Sequence, residues 1–105
     1  MDDIAVLNAV QEAIGSGRQV ALATVIRTRG SVPRRAGSKM MIDPERGLVG
    51  TIGGGCGEAD VIGVEGDVLR DGVPRMLRVE LMDDTGTWSP AVCGGVMEIF
   101  VEPVE

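Results

Sequence analysis

Residues 39–60 read KMMIDPERGLVGTIGGGCGEAD, and they pass from a strand through a turn to a second strand, a glycine run and the start of a helix. Lys39 to Ile42 is apolar and strand-like. Asp43-Pro44-Glu45-Arg46-Gly47 places proline and glycine where a hairpin turn uses them, and Leu48 to Ile52 is the returning partner strand. Gly53-Gly54-Gly55-Cys56-Gly57 follows. Val61, Ile62, Val64, Val68 and Leu69 then recur at helical spacing, which predicts a helix from Glu58 to Arg70, closed by Asp71-Gly72. Gly63 and Gly66 inside it each cost about 1 kcal/mol relative to alanine. They read equally as a close approach of another backbone or as a loosely packed helix.

Working outward, Asp2 and Asp3 cap a helix carrying Ile4, Leu7, Val10, Ala13 and Ile14, which stops at Gly15-Ser16-Gly17. Val20 to Thr28 is rich in Val, Ile, Thr and Ala and reads as a mostly buried strand. Residues 29–38 combine Gly30, Gly37 and Pro33 with basic residues, as an ordered functional loop or a mobile exposed one would. Pro74 to Leu81 alternates polar and apolar positions, Met82 to Ala91 is irregular, and Val96 to Val104 is a closing strand. The expected fold is therefore a small single α/β domain, residues 1–105, with a mixed β-sheet of about five strands and two packed helices in the order α-β-β-β-α-β-β.

Composition removes several function classes. Hydrophobic residues make up 44% of the 105-residue chain and aromatic residues only 2%, so a folded core must be built from aliphatic side chains. Trp88 and Phe100 are the only aromatics and neither lies in the basic stretch, which argues against base stacking, and the net charge of −6 argues against general nucleic-acid binding. No apolar run is long enough to cross a bilayer and no cleavable signal is visible, so a cytoplasmic protein with free thiols is expected. The chain has no histidine, which excludes a Cys-His dyad, a Ser-His-Asp triad and histidine metal ligation within it.

The remaining chemistry concentrates at two places. Arg27, Arg29, Arg34, Arg35 and Lys39 fall within one segment that contains no acid, a local anion-binding surface or a solvated basic loop. Gly54-Gly55-Cys56-Gly57 and Cys93-Gly94-Gly95 each set a cysteine beside a double glycine. Glycines before a helix start present N–H groups to an anion, and the same position favours a thiolate, although Glu58 and Asp60 partly offset that effect. A plain glycine-rich turn with a small buried cysteine has the same composition. Neither the Walker pattern nor the spaced glycines of a dinucleotide fingerprint is present. The ligand expected from these residues is anionic and compatible with a soft atom.

Three segments, TVIRTRGSVPRRAGSKMMID, GLVGTIGGGCGEADV and CGGVMEIFVEPV, resemble in order the XdhC/CoxI family, the accessory factors of xanthine dehydrogenase and carbon monoxide dehydrogenase. The resemblance implies a non-enzymatic chaperone that binds the molybdenum cofactor (molybdopterin) transiently, assists its sulfuration by a cysteine desulfurase and delivers it to a molybdenum hydroxylase apoenzyme. On that reading Arg34, Arg35 and Lys39 hold the pterin phosphate, Gly53, Gly54 and Gly55 donate N–H groups, Cys56 meets molybdenum or sulfur, and Cys93 is a secondary ligand. Full-length members carry a C-terminal dinucleotide-binding domain that is not expected within residues 1–105, so a separate nucleotide-binding chain is an implied partner, and a homo-oligomer is expected from the sheet edges. The rival reading is a non-catalytic interaction domain that docks the hydroxylase or that separate chain.

Overall fold

A computed structural model of the chain describes residues 3–30, 35–50, 58–80 and 95–104. The elements follow the expected order: α1 (Asp3–Gly15), β1 (Val20–Arg29), β2 (Lys39–Asp43), β3 (Gly47–Gly50), α2 (Glu58–Asp71), β4 (Arg75–Glu80) and β5 (Val96–Val104). The strands form one sheet in the spatial order β3-β2-β1-β5-β4. Every pairing among them is antiparallel, so the mixed sheet expected from the sequence is refined to an antiparallel one. The reason is topological. β3 and β4 flank α2 in the chain and run in the same direction, as in a crossover unit, but they lie at opposite edges of the sheet and never pair.

The helices cover opposite faces. Val61 and Val68 of α2 close over Ala23, Val25, Met97 and Ile99 on one face, where Met97 and Ile99 are fully buried and each contributes about 1.5–3 kcal/mol through burial. Val6, Val10 and Ala13 of α1 close over Val20 and Met41, with Leu22 and Val49 alongside, on the other. The stripe expected on α1 is thus shifted: Val10 and Ala13 are buried, Val6 joins them, and Ile4, Leu7 and Ile14 are exposed. α1 rests on the β1-β2-β3 half through the line Val6, Val10 and Ala13, and the other three positions lie off that line. Gly63 and Gly66 are exposed and have nothing among the described residues within 4 Å of where a Cβ would stand, so no described backbone makes a close approach there.

One end of the sheet is locked. α1 ends with Gly17 at φ +75°, the Gly17 N–H donating to the Ile14 carbonyl at 3.0 Å and the Arg18 N–H to the Ala13 carbonyl at 3.0 Å, the two bonds of a Schellman stop. That stop delivers Arg18 to Asp43, whose Oδ2 accepts from Arg18 Nε at 3.0 Å while Oδ1 accepts from the N–H groups of Glu45 and Arg46 at 2.9 and 3.2 Å. Burial alone would raise the Asp43 pKa, but the Glu45 N–H, the Arg18 guanidinium and the Arg46 N–H outweigh it and hold the carboxyl below its ordinary value. The α1–β1 connection and the β2–β3 turn are tied together by this one side chain.

Candidate functional site

The opposite end of the sheet is where the chemistry-bearing segments attach. β1 ends there at Arg29, β2 begins at Lys39, β3 ends at Gly50, β4 ends at Glu80 and β5 begins at Val96, as the pairings Thr24 with Lys39, Met40 with Gly50, Arg29 with Val96 and Glu80 with Val96 require. α2 begins at this end too, because Leu69 near its C-terminus lines a hollow with Gly17 and Pro44 at the locked end. Arg34, Gly53, Gly54, Gly55, Cys56 and Cys93 all lie outside the described residues.

Of the three residues expected to hold the pterin phosphate, Arg35 and Lys39 are described. Arg35 is exposed, and its carbonyl accepts from the Ser38 N–H at 3.2 Å. Around it the hairpin is pinned, with Gly37 N–H donating to the Val25 carbonyl at 2.6 Å and Val25 N–H to the Ser38 carbonyl at 2.9 Å. Lys39 is half-buried and its Nζ donates to the Gly37 carbonyl at 3.3 Å. Since Lys39 pairs with Thr24 and Met41 pairs with Leu22, Lys39 stands on the face that α1 covers lower down.

Beyond Val25 the register changes. Val25 pairs with Ile99 and Arg27 with Glu98, so Ile26 is an inserted residue and is 47% exposed. A bulge of this kind re-aims the side chains that follow it. Unbroken alternation would turn Arg27 toward the α2 face with Val25; the insertion turns Arg27 and Arg29 to the other face, beyond the residues that α1 covers. Glu98 pairs on its far side with Arg78 of β4, and Val96 pairs with Glu80, so Arg27, Glu98 and Arg78 form one row across three strands.

Together Arg27, Thr28, Arg29, Arg78, Val96 and Glu98 line a groove of about 240 Å³. Arg27 reaches Glu98 at 3.4 Å and Arg78 reaches Glu80 at 3.4 Å, while Arg29 has no ion-pair partner among the described residues. The groove is able to hold an anion through guanidinium forks. The sequence reading placed Arg27 and Arg29 in the basic segment but did not select them, and it missed Arg78 and Glu98 altogether. The alternation in β4 and β5 would have put Arg78 and Glu98 on one face. Nothing in the composition of β1 announces the bulge that adds Arg27 and Arg29. The wider hollow at the locked end, about 560 Å³, offers one arginine, Arg18, and that is committed to Asp43. Among the described residues no group of three or more Cys, Asp or Glu is placed to hold a metal ion, and no helix is long and apolar enough to cross a membrane.

The chain is similar to known proteins across most of its length. The sequence pattern of the XdhC and CoxI family matches residues 13–80. A probable xanthine dehydrogenase subunit of Bacillus subtilis is 32% identical over 82% of this chain, and the uncharacterized protein YqeB of Escherichia coli is 32% identical over 77% of it. The crystal structure of a xanthine dehydrogenase from Bacillus halodurans superposes on the entire chain with a TM-score of 0.81 at 28% identity. The chain spans only part of these proteins: 27% of the first, 15% of the second and 31% of the third.

Proposed function

Because the chain belongs to the XdhC and CoxI family, we propose that it acts as a molybdenum-cofactor-binding accessory factor, assisting sulfuration of the cofactor and its insertion into a molybdenum hydroxylase of the xanthine dehydrogenase or carbon monoxide dehydrogenase type. One observation carries this reading. The open end of the sheet gathers Lys39, Arg27, Arg29 and Arg78 on one face, at the same end where β3 stops and α2 starts, on either side of the glycine and cysteine run. The guanidinium groups suit the phosphate of molybdopterin, and a cysteine thiolate suits a soft metal or sulfur. When bound, the cofactor supplies a molybdenum centre that takes up sulfur. The chain's own residues bind and orient: arginines at the phosphate, Gly53 to Gly55 as N–H donors, Cys56 at the metal and Cys93 as a second thiol. The partners of this role are the hydroxylase apoenzyme and a cysteine desulfurase in the cytoplasm, with a separate nucleotide-binding chain and a second copy of this chain as further partners.

The test is retention. Purified protein loaded with molybdenum cofactor and desalted keeps molybdenum and pterin, and Cys56→Ala and Cys56→Ser lose most of both. Equal retention by these variants, or none by the wild type, overturns the assignment. A second reading, a non-catalytic docking domain for the hydroxylase or for a nucleotide-binding chain, is favoured by Ile4, Leu7 and Ile14, exposed by 68%, 45% and 40% along α1. Capture of the purified hydroxylase by protein free of cofactor would favour it over the first.

A further inference from the structure

We infer that the groove between β1 and β4 is a phosphate-binding site, with Arg27, Arg29 and Arg78 as its ligands over a floor formed by Glu98. Neighbouring strands stand about 4.8 Å apart, so Arg27 and Arg78, one strand to either side of Glu98, lie within reach of a common point above it. Arg29 adds a third guanidinium one row nearer the strand end. Glu98 occupies the floor, its side chain 27% exposed against 77% for Arg27, so an anion is held at the guanidinium tips and away from the sheet.

The existing partners of these arginines are weak. Both pairs are single-point and 3.4 Å long, and Arg27, Arg78 and Glu80 are more than half exposed, so each pair contributes little. A phosphate dianion offers bidentate, charge-assisted bonds in their place. Two carboxylates, Glu98 and Glu80, answer three guanidiniums, which leaves Arg29 without an ion-pair partner among the described residues of a protein whose net charge is −6. The bulge at Ile26 is what sets Arg27 and Arg29 beside Arg78, and it lies at the site rather than at the locked end of the sheet.

The phosphate has three sources: the free ion, a nucleotide, or the pterin cofactor. Only the third rests on the function proposed above. Titration of inorganic phosphate, of a nucleoside diphosphate and of pyrophosphate, followed by calorimetry or phosphorus NMR, tests the site itself. Pyrophosphate is expected to bind the wild type at one site, with Arg27→Ala and Arg78→Ala each weakening it at least about tenfold, a loss of about 1.4 kcal/mol, and Arg46→Ala at the locked end leaving it unchanged. Arg78→Lys, which keeps the charge but not the fork, falls in between. Unfolding midpoints near wild type identify the variants as folded, as expected for exposed side chains. Wild-type affinity in both alanine variants, or a loss seen only in Arg35→Ala, overturns the site. Tighter binding of the nucleoside diphosphate than of pyrophosphate identifies a nucleotide as source. Arginine-dependent phosphate binding by a protein that retains no molybdenum cofactor leaves the site standing and the proposed function refuted. Cofactor retention unchanged in Arg27→Ala and Arg78→Ala, with phosphate binding lost in both, leaves the site and the proposed function standing and removes the pterin as the site's ligand.

Discussion

Gly50 is the residue at which the rigid hairpin hands over to the glycine and cysteine run. It adopts φ +85°, and a Cβ there would lie 2.7 Å from both the Lys39 carbonyl oxygen and Cγ2 of Val6. Two independent reasons therefore require glycine, a left-handed backbone and the close approach of α1. Gly50→Ala is expected to lose about 1–3 kcal/mol, combining backbone strain with the clash. Urea unfolding measures this, and an unchanged midpoint would mean that α1 and β3 shift apart without penalty. The sequence singled out Cys56 and its glycine neighbours at sight, because rare residue types in a cluster need no tertiary context, and these residues lie outside the described ones. It offered no comparable sign of Arg78 or Glu98, ordinary surface residues whose meaning comes from strands brought together across the sheet.

At the scale of elements, α2 shows what periodicity conveys and what it leaves open. Its apolar stripe was legible, and Val61 and Val68 are buried as that stripe requires. Its two interior glycines were ambiguous, and among the described residues nothing stands within 4 Å of a Cβ at either. Gly63→Ala and Gly66→Ala are each expected to raise stability by about 0.5–1 kcal/mol, since alanine reduces the entropy of the unfolded chain and meets nothing. Thermal or urea unfolding checks this, and a destabilised variant would show that a neighbour does pack there. β1 makes the complementary point. Its residues read as a strand, but the inserted Ile26 depends on pairing with β5, so the face on which Arg27 and Arg29 emerge could not be counted from the sequence. On α1, helical spacing admitted Ile4, Leu7 and Ile14 to the buried side, and only the packing of Val6, Val10 and Ala13 on Val20 and Met41 showed which line of the helix faces the sheet.

For the whole molecule, the decisive feature is the contrast between its two ends. Asp43 and Arg18 close one end with a carboxylate satisfied on both oxygens. The other end carries cations on a face that α1 leaves uncovered among the described residues. An anion approaching it meets a local positive field on an acidic protein. Phosphate binding at this exposed groove is therefore expected to weaken several-fold as salt rises from about 0.02 to 0.2 M, because the Debye length falls to about 10 Å by 0.1 M. Titrations across that range measure the slope, and salt-independent binding would place the anion in an enclosed site elsewhere.

By itself the sequence determined the elements and their order, the aliphatic core, the absence of histidine chemistry and the family. These follow from local periodicity, turn residues and rare side chains, all of which act over a few positions. Only the tertiary structure decided that β3 and β4 stand at opposite edges, that the sheet is antiparallel, and that Arg27, Arg29 and Arg78 share one groove. Those outcomes depend on which strands pair and in what register, and a single inserted residue in one strand reverses the face of every side chain after it.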